Sequence, residues 1–439
     1  MEKLAILGGE KAVKNENEEI FKWPIVNKEM EDKVLDVLRA GKMSETDITM
    51  EFEKEYANWY GMKYALGTNN GTAALHCAFY GIRIGPGDEV ICPSVTYWAS
   101  CIPVLSLGGT VVFADIDPET LSVDPDDIER KISEKTKCII VVHYCGYPAD
   151  MDRIMKIAEK YKLKVVEDCS HSHGSLYKGK LTGTFGDVSA FSIMSGKAFA
   201  VGEAGIMLTN NREIYERGIV FGHYERHNEL TIDYLKDGAG LPWGGYKYRM
   251  HQMSSAVGLV QIKKYKKEME EIDKAMNYFW DLLEGVAGIR ALRPLKNSSL
   301  TMGGWYSAKG KYYSEELGGL SITKFCEAAR AEGVPLSPGC NKPLHTHPVF
   351  QNIDIYNEGK PTIISKAARD VRKLYKSLPI SEGINKKVFS VPWFKKFVPE
   401  IIEQYAYGIK KVVSNYKELL KYDEGDPEEI GGWSLTFHR

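Results

Sequence analysis

Between residues 137 and 169 the chain reads Lys137-Cys138-Ile139-Ile140-Val141-Val142-His143-Tyr144, a Cys145-Gly146-Tyr147-Pro148 break, ADMDRIMKIAEKY (149–161), and Lys162-Leu163-Lys164-Val165-Val166-Glu167-Asp168-Cys169. The outer parts are short, continuous apolar runs rich in β-branched residues, which suits strands buried on both faces. The middle part reads as a helix, and a helix between two parallel strands is the crossover that such strands require. The same character recurs in EVICPSV (89–95), TVVFADI (110–116), VSAFSI (188–193) and GIMLTN (205–210). Helical stretches accompany these runs. EMEDKVLDVLRAG (29–41) ends at Gly41, and TAALHCAFYGI (72–82) follows the turn-forming Asn69-Asn70-Gly71. The expected fold class is α/β, with a mostly parallel central sheet covered by helices.

After Arg249 the pattern changes. HQMSSAVGLVQIKKYKKEMEEIDKAMNYFWDLLEGV (251–286) is a long helical stretch with a charged middle, too long for a simple crossover and suited to bridging two units. Beyond it lie the glycine-rich Met302-Gly303-Gly304-Trp305, the helix ITKFCEAARAEG (322–333), the loop SPGCNKPLHTHP (337–348) and a terminal helical region near 397–420. A chain of 439 residues exceeds the usual size of one compact domain. The expected division is 1–265, an N-terminal arm with a large α/β domain, and 266–439, a smaller α+β domain with a tail that starts acidic and ends aromatic.

Bulk properties exclude several classes of partner. A formal net charge of −2 supplies no long-range field for nucleic acid or an anionic membrane. The apolar part of MEKLAILGGEKAV is too short and glycine-broken for a signal peptide, and no apolar run approaches membrane-spanning length. The eight cysteines form no CxxC pair and sit mostly in apolar segments, as buried thiols in a reducing cytoplasm would. A soluble cytoplasmic protein is expected.

The chemistry is read from two positions. Lys197 closes Ala190-Phe191-Ser192-Ile193-Met194-Ser195-Gly196-Lys197, one short hairpin-like excursion after the strand end Glu167-Asp168. A carboxylate leaving one strand and an amine leaving the next suit pyridoxal phosphate: the amine forms a Schiff base with the aldehyde, and the carboxylate keeps the ring nitrogen protonated. In Thr68-Asn69-Asn70-Gly71-Thr72 a strand gives way to a helix, whose first N–H groups and the Thr72 hydroxyl suit a phosphate, although Asn-Asn-Gly is also an ordinary turn. Ser192 is a further phosphate candidate, with a structural strand serine as the alternative. Tyr97 follows a strand at the edge where parallel sheets bind ligands; it suits stacking on a pyridine ring, with core packing as the alternative. His171, three residues past Asp168, is placed to reach the cofactor's phenolic oxygen, and His173 reads as a spare. A metal hydrolase built on His223 and His227 lacks the intervening glutamate of HExxH and a clear third ligand, so no metal site is expected.

Taken together, TNNGTAALH, GPGDEVICPSVTYWAS, VVFADIDPETLSVDP, VHYCGYPADMD, VVEDCSHSHG, GTFGDVSAFSIMSGK, GEAGIMLTN, GYKYRMHQMSSAVGLVQ and KPLHTHPVF resemble the DegT/DnrJ/EryC1/StrS family of pyridoxal-phosphate-dependent sugar aminotransferases over roughly residues 20–415. The resemblance implies the aspartate aminotransferase fold (fold type I). By it Lys197 is the Schiff-base lysine, Asp168 the pyridinium partner and Tyr97 the stacking ring, while Gly71, Thr72 and Ser192 bind phosphate. Two positions depart from the family's commonest pattern. His171 stands in place of glutamine, where its titration is expected to bear on the pH profile. Lys247, in GYKYRM, stands in place of an asparagine that reaches the neighbouring subunit's cofactor phosphate.

The implied activity is transfer of an amino group from glutamate or glutamine to the ketone of a sugar or cyclitol, nucleotide-linked or inosose-like, with a leaning toward the cyclitol and antibiotic-sugar branch. A homodimer with shared sites is implied as well. Phe221–His227 and His345-Thr346-His347 are candidate substrate contacts, with solvated loops as the alternative. Two other functions stay open here: a dehydratase or aromatising enzyme of the same family, and a pyridoxal-phosphate-binding regulatory protein.

Overall fold

The structure is a computed structural model that describes residues 2–14, 17–296, 298–375 and 377–433. Its main sheet contains β1 (Tyr64–Thr68), β2 (Glu89–Pro93), β3 (Thr110–Ala114), β4 (Thr136–Val142), β5 (Lys164–Asp168), β8 (Val188–Ser192) and β9 (Gly205–Thr209); the small hairpin β6 (Leu176–Tyr177) and β7 (Lys180–Leu181) separates β5 from β8. The spatial order is β1-β9-β8-β5-β4-β2-β3. The pairs β2–β3, β2–β4, β4–β5 and β5–β8 are parallel, and β9 is antiparallel to both β8 and β1.

Two sequence expectations are refined by this sheet. GIMLTN is the one strand that runs against the others. It follows β8 through a loop with no crossover helix, and without a crossover the chain can only return antiparallel. Tyr64–Thr68 is a short edge strand whose composition falls below the β-branched signal of the rest. Because β1 and β8 both oppose β9, β1, β8, β5, β4, β2 and β3 deliver their carboxyl ends to one edge. Strands β2, β3 and β9 are buried along their whole length, as their continuous apolar runs require.

Helices cover the sheet. Lys28–Ala40 ends at Gly41 in the left-handed region, and Met151–Tyr161 is the crossover between β4 and β5. The helix Gln252–Leu282 packs against Lys28–Ala40, Asp47–Tyr60 and Pro399–Ser414. Its first part places Leu259 and Tyr265 in a cluster with the aromatic residues around β8 and β9, and its last part places Ile272, Met276, Phe279 and Trp280 in another. Between them Lys266, Lys267, Glu270 and Glu271 are exposed, so the charged middle is the solvated span between two cores.

A second, antiparallel sheet has the order β10-β11-β13-β12, made of β10 (Ile289–Ala291), β11 (Lys309–Tyr312), β12 (Ser337–Pro338) and β13 (Val388–Ser390). Leu4, Val13 and Ile20 of the N-terminal arm join the core beneath it. The acidic start of the tail is tied down. Asp423 accepts from the Ser321 N–H and hydroxyl at 2.7 and 2.5 Å, and Asp426 from those of Thr323 at 3.0 and 2.8 Å. The aromatic end expected beyond Trp433 lies outside the described residues. All eight cysteines are buried free thiols. Among the described residues no helix is long and apolar enough to cross a membrane.

Candidate active site

Asp168 is the last residue of β5 and is 5% exposed. The Ser100 hydroxyl donates to its Oδ2 at 2.6 Å and the Ser170 N–H donates to its Oδ1 at 3.1 Å, so the carboxylate is fixed in direction. Ser100 Oγ is itself 3.1 Å from Thr96 Oγ1. Lys197 lies in the loop leaving β8 and is 7% exposed. Its N–H donates to the Met194 carbonyl at 2.9 Å, and its own carbonyl accepts from the Trp23 indole at 2.8 Å. Burial pushes the Lys197 amine down to about 8, against the opposing pull of the Asp168 carboxylate.

The cradle between β1 and the helix Gly71–Gly81 follows from its residues. Extended Asn70 caps the helix by accepting from the Ala73 N–H at 2.8 Å, and its carbonyl accepts from Ala74 at 3.2 Å. The N–H groups of Gly71 and Thr72, in the first turn, have no intrahelical acceptor. A Cβ on Gly71 would lie 2.6 Å from Ser192 Cβ, and one on Gly205 would lie 2.4 Å from the Asn70 carbonyl oxygen. Glycine is what lets the helix start press against β8 and β9. Ser192 is held in turn by its N–H, which donates to Ser170 Oγ at 3.0 Å.

Gly71, Thr72, Tyr97, Asp168, His171, Ser192 and Lys197 all line one cavity of about 240 Å³, together with Tyr306 and Glu203. Burial, together with the Glu203 carboxylate, raises the Tyr97 phenol above its ordinary value. His171 is buried, and its Nδ1 accepts from the Cys145 N–H at 3.3 Å, which leaves the proton of the neutral ring on Nε2. Burial and the nearby charge of Lys197 hold its pKa well below the ordinary histidine value. Both effects favour the neutral ring, which speaks against the expectation that His171 titration bears on the pH profile. His173 is buried against Phe191 and Phe199, and burial lowers it to about 3, as suits a packing residue.

Other candidates lie apart. Lys247 is exposed, outside the cavity lining, on the segment before the long helix. Phe221 and His223 are buried, and His223 Nε2 lies 2.8 Å from the Gly67 carbonyl, to which it donates. Arg226 is buried in a two-pronged ion pair with Glu53 at 2.8 and 2.9 Å, and His227 points to solvent. His345 sits between Ser94 and Glu382, and His347 stacks edge-on with Trp433. None of these four histidines lines the cavity. His143, Glu167 and Cys169 stand close enough to hold an ion, but the Glu167 carboxylate already accepts from the N–H groups of Gly183, Phe185 and Gly186 at 2.7 Å each. That network closes the loop before β8.

Sequence reasoning missed Tyr306, whose ring centroid lies 4.1 Å from Lys197 Nζ, and Ser100, which orients Asp168. Tyr306 follows the glycine-rich patch that the sequence does flag, and nothing local connects that patch to Lys197.

An acid and an amine on neighbouring strand ends thus open onto one cavity beside the start of a helix. The model of the DegT/DnrJ/EryC1/StrS aminotransferase family matches residues 24–404, and the chain belongs to that family. GDP-perosamine synthase of Escherichia coli O157:H7 is 39% identical over 222 residues, which cover 50% of this chain and 58% of that protein. A putative L-glutamine:3-amino-2,3-dideoxy-scyllo-inosose aminotransferase of Micromonospora echinospora is 27% identical over 429 residues, 96% of this chain and 99% of that one. The X-ray structure of the aminotransferase from Psychrobacter cryohalolentis superposes with a TM-score of 0.77 at 26% identity, covering 90% of this chain and 99% of that chain. The expected fold class holds, and the chain is an aminotransferase.

Proposed function

We propose that this aminotransferase uses pyridoxal phosphate to move an amino group from glutamate or glutamine to the ketone of a sugar or cyclitol. One observation carries the reading: a single cavity holds an amine with a lowered pKa, a hydrogen-bonded carboxylate and a helix start kept open by Gly71. The residues fit the coenzyme. The N–H groups of Gly71 and Thr72, with the Thr72 and Ser192 hydroxyls, would hold its phosphate. Asp168 would pair with the ring nitrogen, Tyr97 would lie against the ring, and the Nε2–H of His171 would donate to the phenolic oxygen. Lys197 would take the covalent position. In a homodimer with shared sites, Lys247 of a second copy, exposed in the single chain, would reach the phosphate.

When bound, the coenzyme supplies an aldehyde that condenses with amines and a protonated ring that draws electrons from the neighbouring carbon. The chain does the rest. Asp168, locked by Ser100 and Ser170, presents negative charge in a fixed direction and needs no rearrangement during the reaction. Lys197 Nζ, with its proton affinity lowered by burial, would take a proton from the donor Cα near neutral pH and hold it at Nζ as an ammonium. His171 keeps a neutral donor where a charged group would compete with Lys197. The acceptor class is supported by the names of the perosamine synthase and inosose aminotransferase relatives, and the latter name includes glutamine as donor.

The test is product analysis by mass. The coenzyme-loaded protein is incubated with glutamate or glutamine and a panel of nucleotide-linked ketosugars and inososes. An aminated ring with a matching oxo acid is expected from at least one pair. A protein that carries coenzyme on Lys197 yet aminates no member with either donor would contradict the proposed acceptor class.

A further inference from the structure

The segment Met302-Gly303-Gly304-Trp305-Tyr306 runs directly along the loop that carries Lys197. Gly303 lies at φ +54, where a Cβ would come 2.4 Å from the His173 carbonyl oxygen; a Cβ on Gly304 would come 2.4 Å from the Ala198 methyl and 2.6 Å from the Tyr265 hydroxyl. Trp305 and Ser307 also sit in the left-handed region, at φ +56 and +57, without being glycine. Side chains stay in that region only when their surroundings hold them there, and such strain gathers at functional sites. The restraints are visible. The Trp305 indole donates to Asp273 at 2.7 Å, and the Trp393 indole donates to the Gly304 carbonyl at 3.0 Å. Both left-handed residues flank Tyr306, so the strain fixes the direction of one ring. That ring is buried, 4.6 Å from His171 and edge-on to Trp393 at 5.7 Å, with Lys197 Nζ 4.1 Å from its centroid.

We propose that Tyr306 is a positioning residue for Lys197: its ring face is where the lysine docks as an ammonium after the amine, displaced from the coenzyme by a substrate amine, has taken the donor Cα proton. The inference rests on the reading above that Lys197 bonds the coenzyme. A displaced lysine at the end of a four-carbon stem has several rotamers to explore, and an unsolvated ammonium has few places to go. A ring face attracts a desolvated cation, which confines the charged amine to one spot without the permanent ion pair that would make it a poorer base. The phenol hydroxyl has no part in this. Trp23 holds the main chain at Lys197, and Trp393, edge-on to the ring, holds it at Gly304, so both backbones that carry the contact are anchored.

The test compares Tyr306→Phe, Tyr306→Leu and pentafluorophenylalanine in place of Tyr306 in the coenzyme-loaded enzyme, with ordinary and α-deuterated glutamate as donor. Tyr306→Phe should keep kcat within about twofold, because the ring face survives. The fluorinated ring and Tyr306→Leu should lower kcat by roughly tenfold, with donor KM little changed and a larger deuterium effect, because proton transfer is the step that suffers. If Tyr306→Leu fails to fold, the phenylalanine and pentafluorophenylalanine proteins, nearly equal in shape, carry the comparison. Equal kcat for that pair would overturn the proposal, as would a raised KM with unchanged kcat. Borohydride trapping at Lys197 is run on the unsubstituted enzyme beside them. A failure to trap there strikes the coenzyme reading itself, and so is told apart from a failure of Tyr306 alone.

Discussion

Lys197 has its amine buried against the Tyr306 ring, and burial lowers its proton affinity to about 8 although the Asp168 carboxylate pulls the other way. Since the folded value lies below the ordinary 10.5, the amine is free above about pH 8 and charged below it. In the coenzyme-free protein, labelling of Lys197 by an amine-selective acylating reagent should be half-maximal near pH 8; a midpoint near that of exposed lysines would show that burial does not act as described. Asp168→Ala should lower kcat by about a hundredfold or more, since fixed charge at a developing charge is commonly worth that much. Steady-state turnover near the unsubstituted value would refute the role. Asp168 and Lys197 are legible in the sequence because each ends or follows a strand with a strong apolar signal. Tyr306 is not, because three-dimensional packing far along the chain brings it there. Lys247 was named from a motif, and the single chain leaves it exposed.

Among the elements, the helix start at Gly71 is the most demanding. It presses so close to β8 that a methyl group would fall 2.6 Å from Ser192 Cβ and 2.8 Å from its Cα. Gly71→Ala should therefore cost roughly 1–3 kcal/mol of overpacking. If that cost falls on the coenzyme-bound form, affinity for pyridoxal phosphate should drop about ten- to a hundredfold in a fluorescence titration; unchanged affinity would mean the cradle has slack. The strands are readable as continuous apolar runs, and the hairpin between β5 and β8 as a short excursion. The direction of β9 is not readable, since composition does not encode which way a buried strand runs. Only the missing crossover helix does. In the histidine-rich segment after Gly222, His223 and Arg226 look in sequence like ligands of a site, and within the single chain they bond to Gly67 and Glu53.

For the whole molecule, the helix Gln252–Leu282 ties two cores together, and we propose the division near residue 265 for that helix alone, because Leu4, Val13 and Ile20 pack in the second core while Leu344, Phe350 and Tyr375 pack in the main one. Arg226 and Glu53 form a buried ion pair. Glu53→Ala would strand Arg226 with Glu229 as its remaining carboxylate, and should cost about 3 kcal/mol in urea denaturation; a loss within a few tenths of zero would show that the pair is not a linchpin. The proposed chemistry depends on the bond made by one side chain. The protein is loaded with pyridoxal phosphate, reduced with borohydride, digested and read by mass spectrometry. The reduced coenzyme mass is expected on the peptide holding Lys197, and is expected to be absent when Lys197→Ala is treated alike. An adduct on another lysine, or none on any, would overturn the assignment of Lys197.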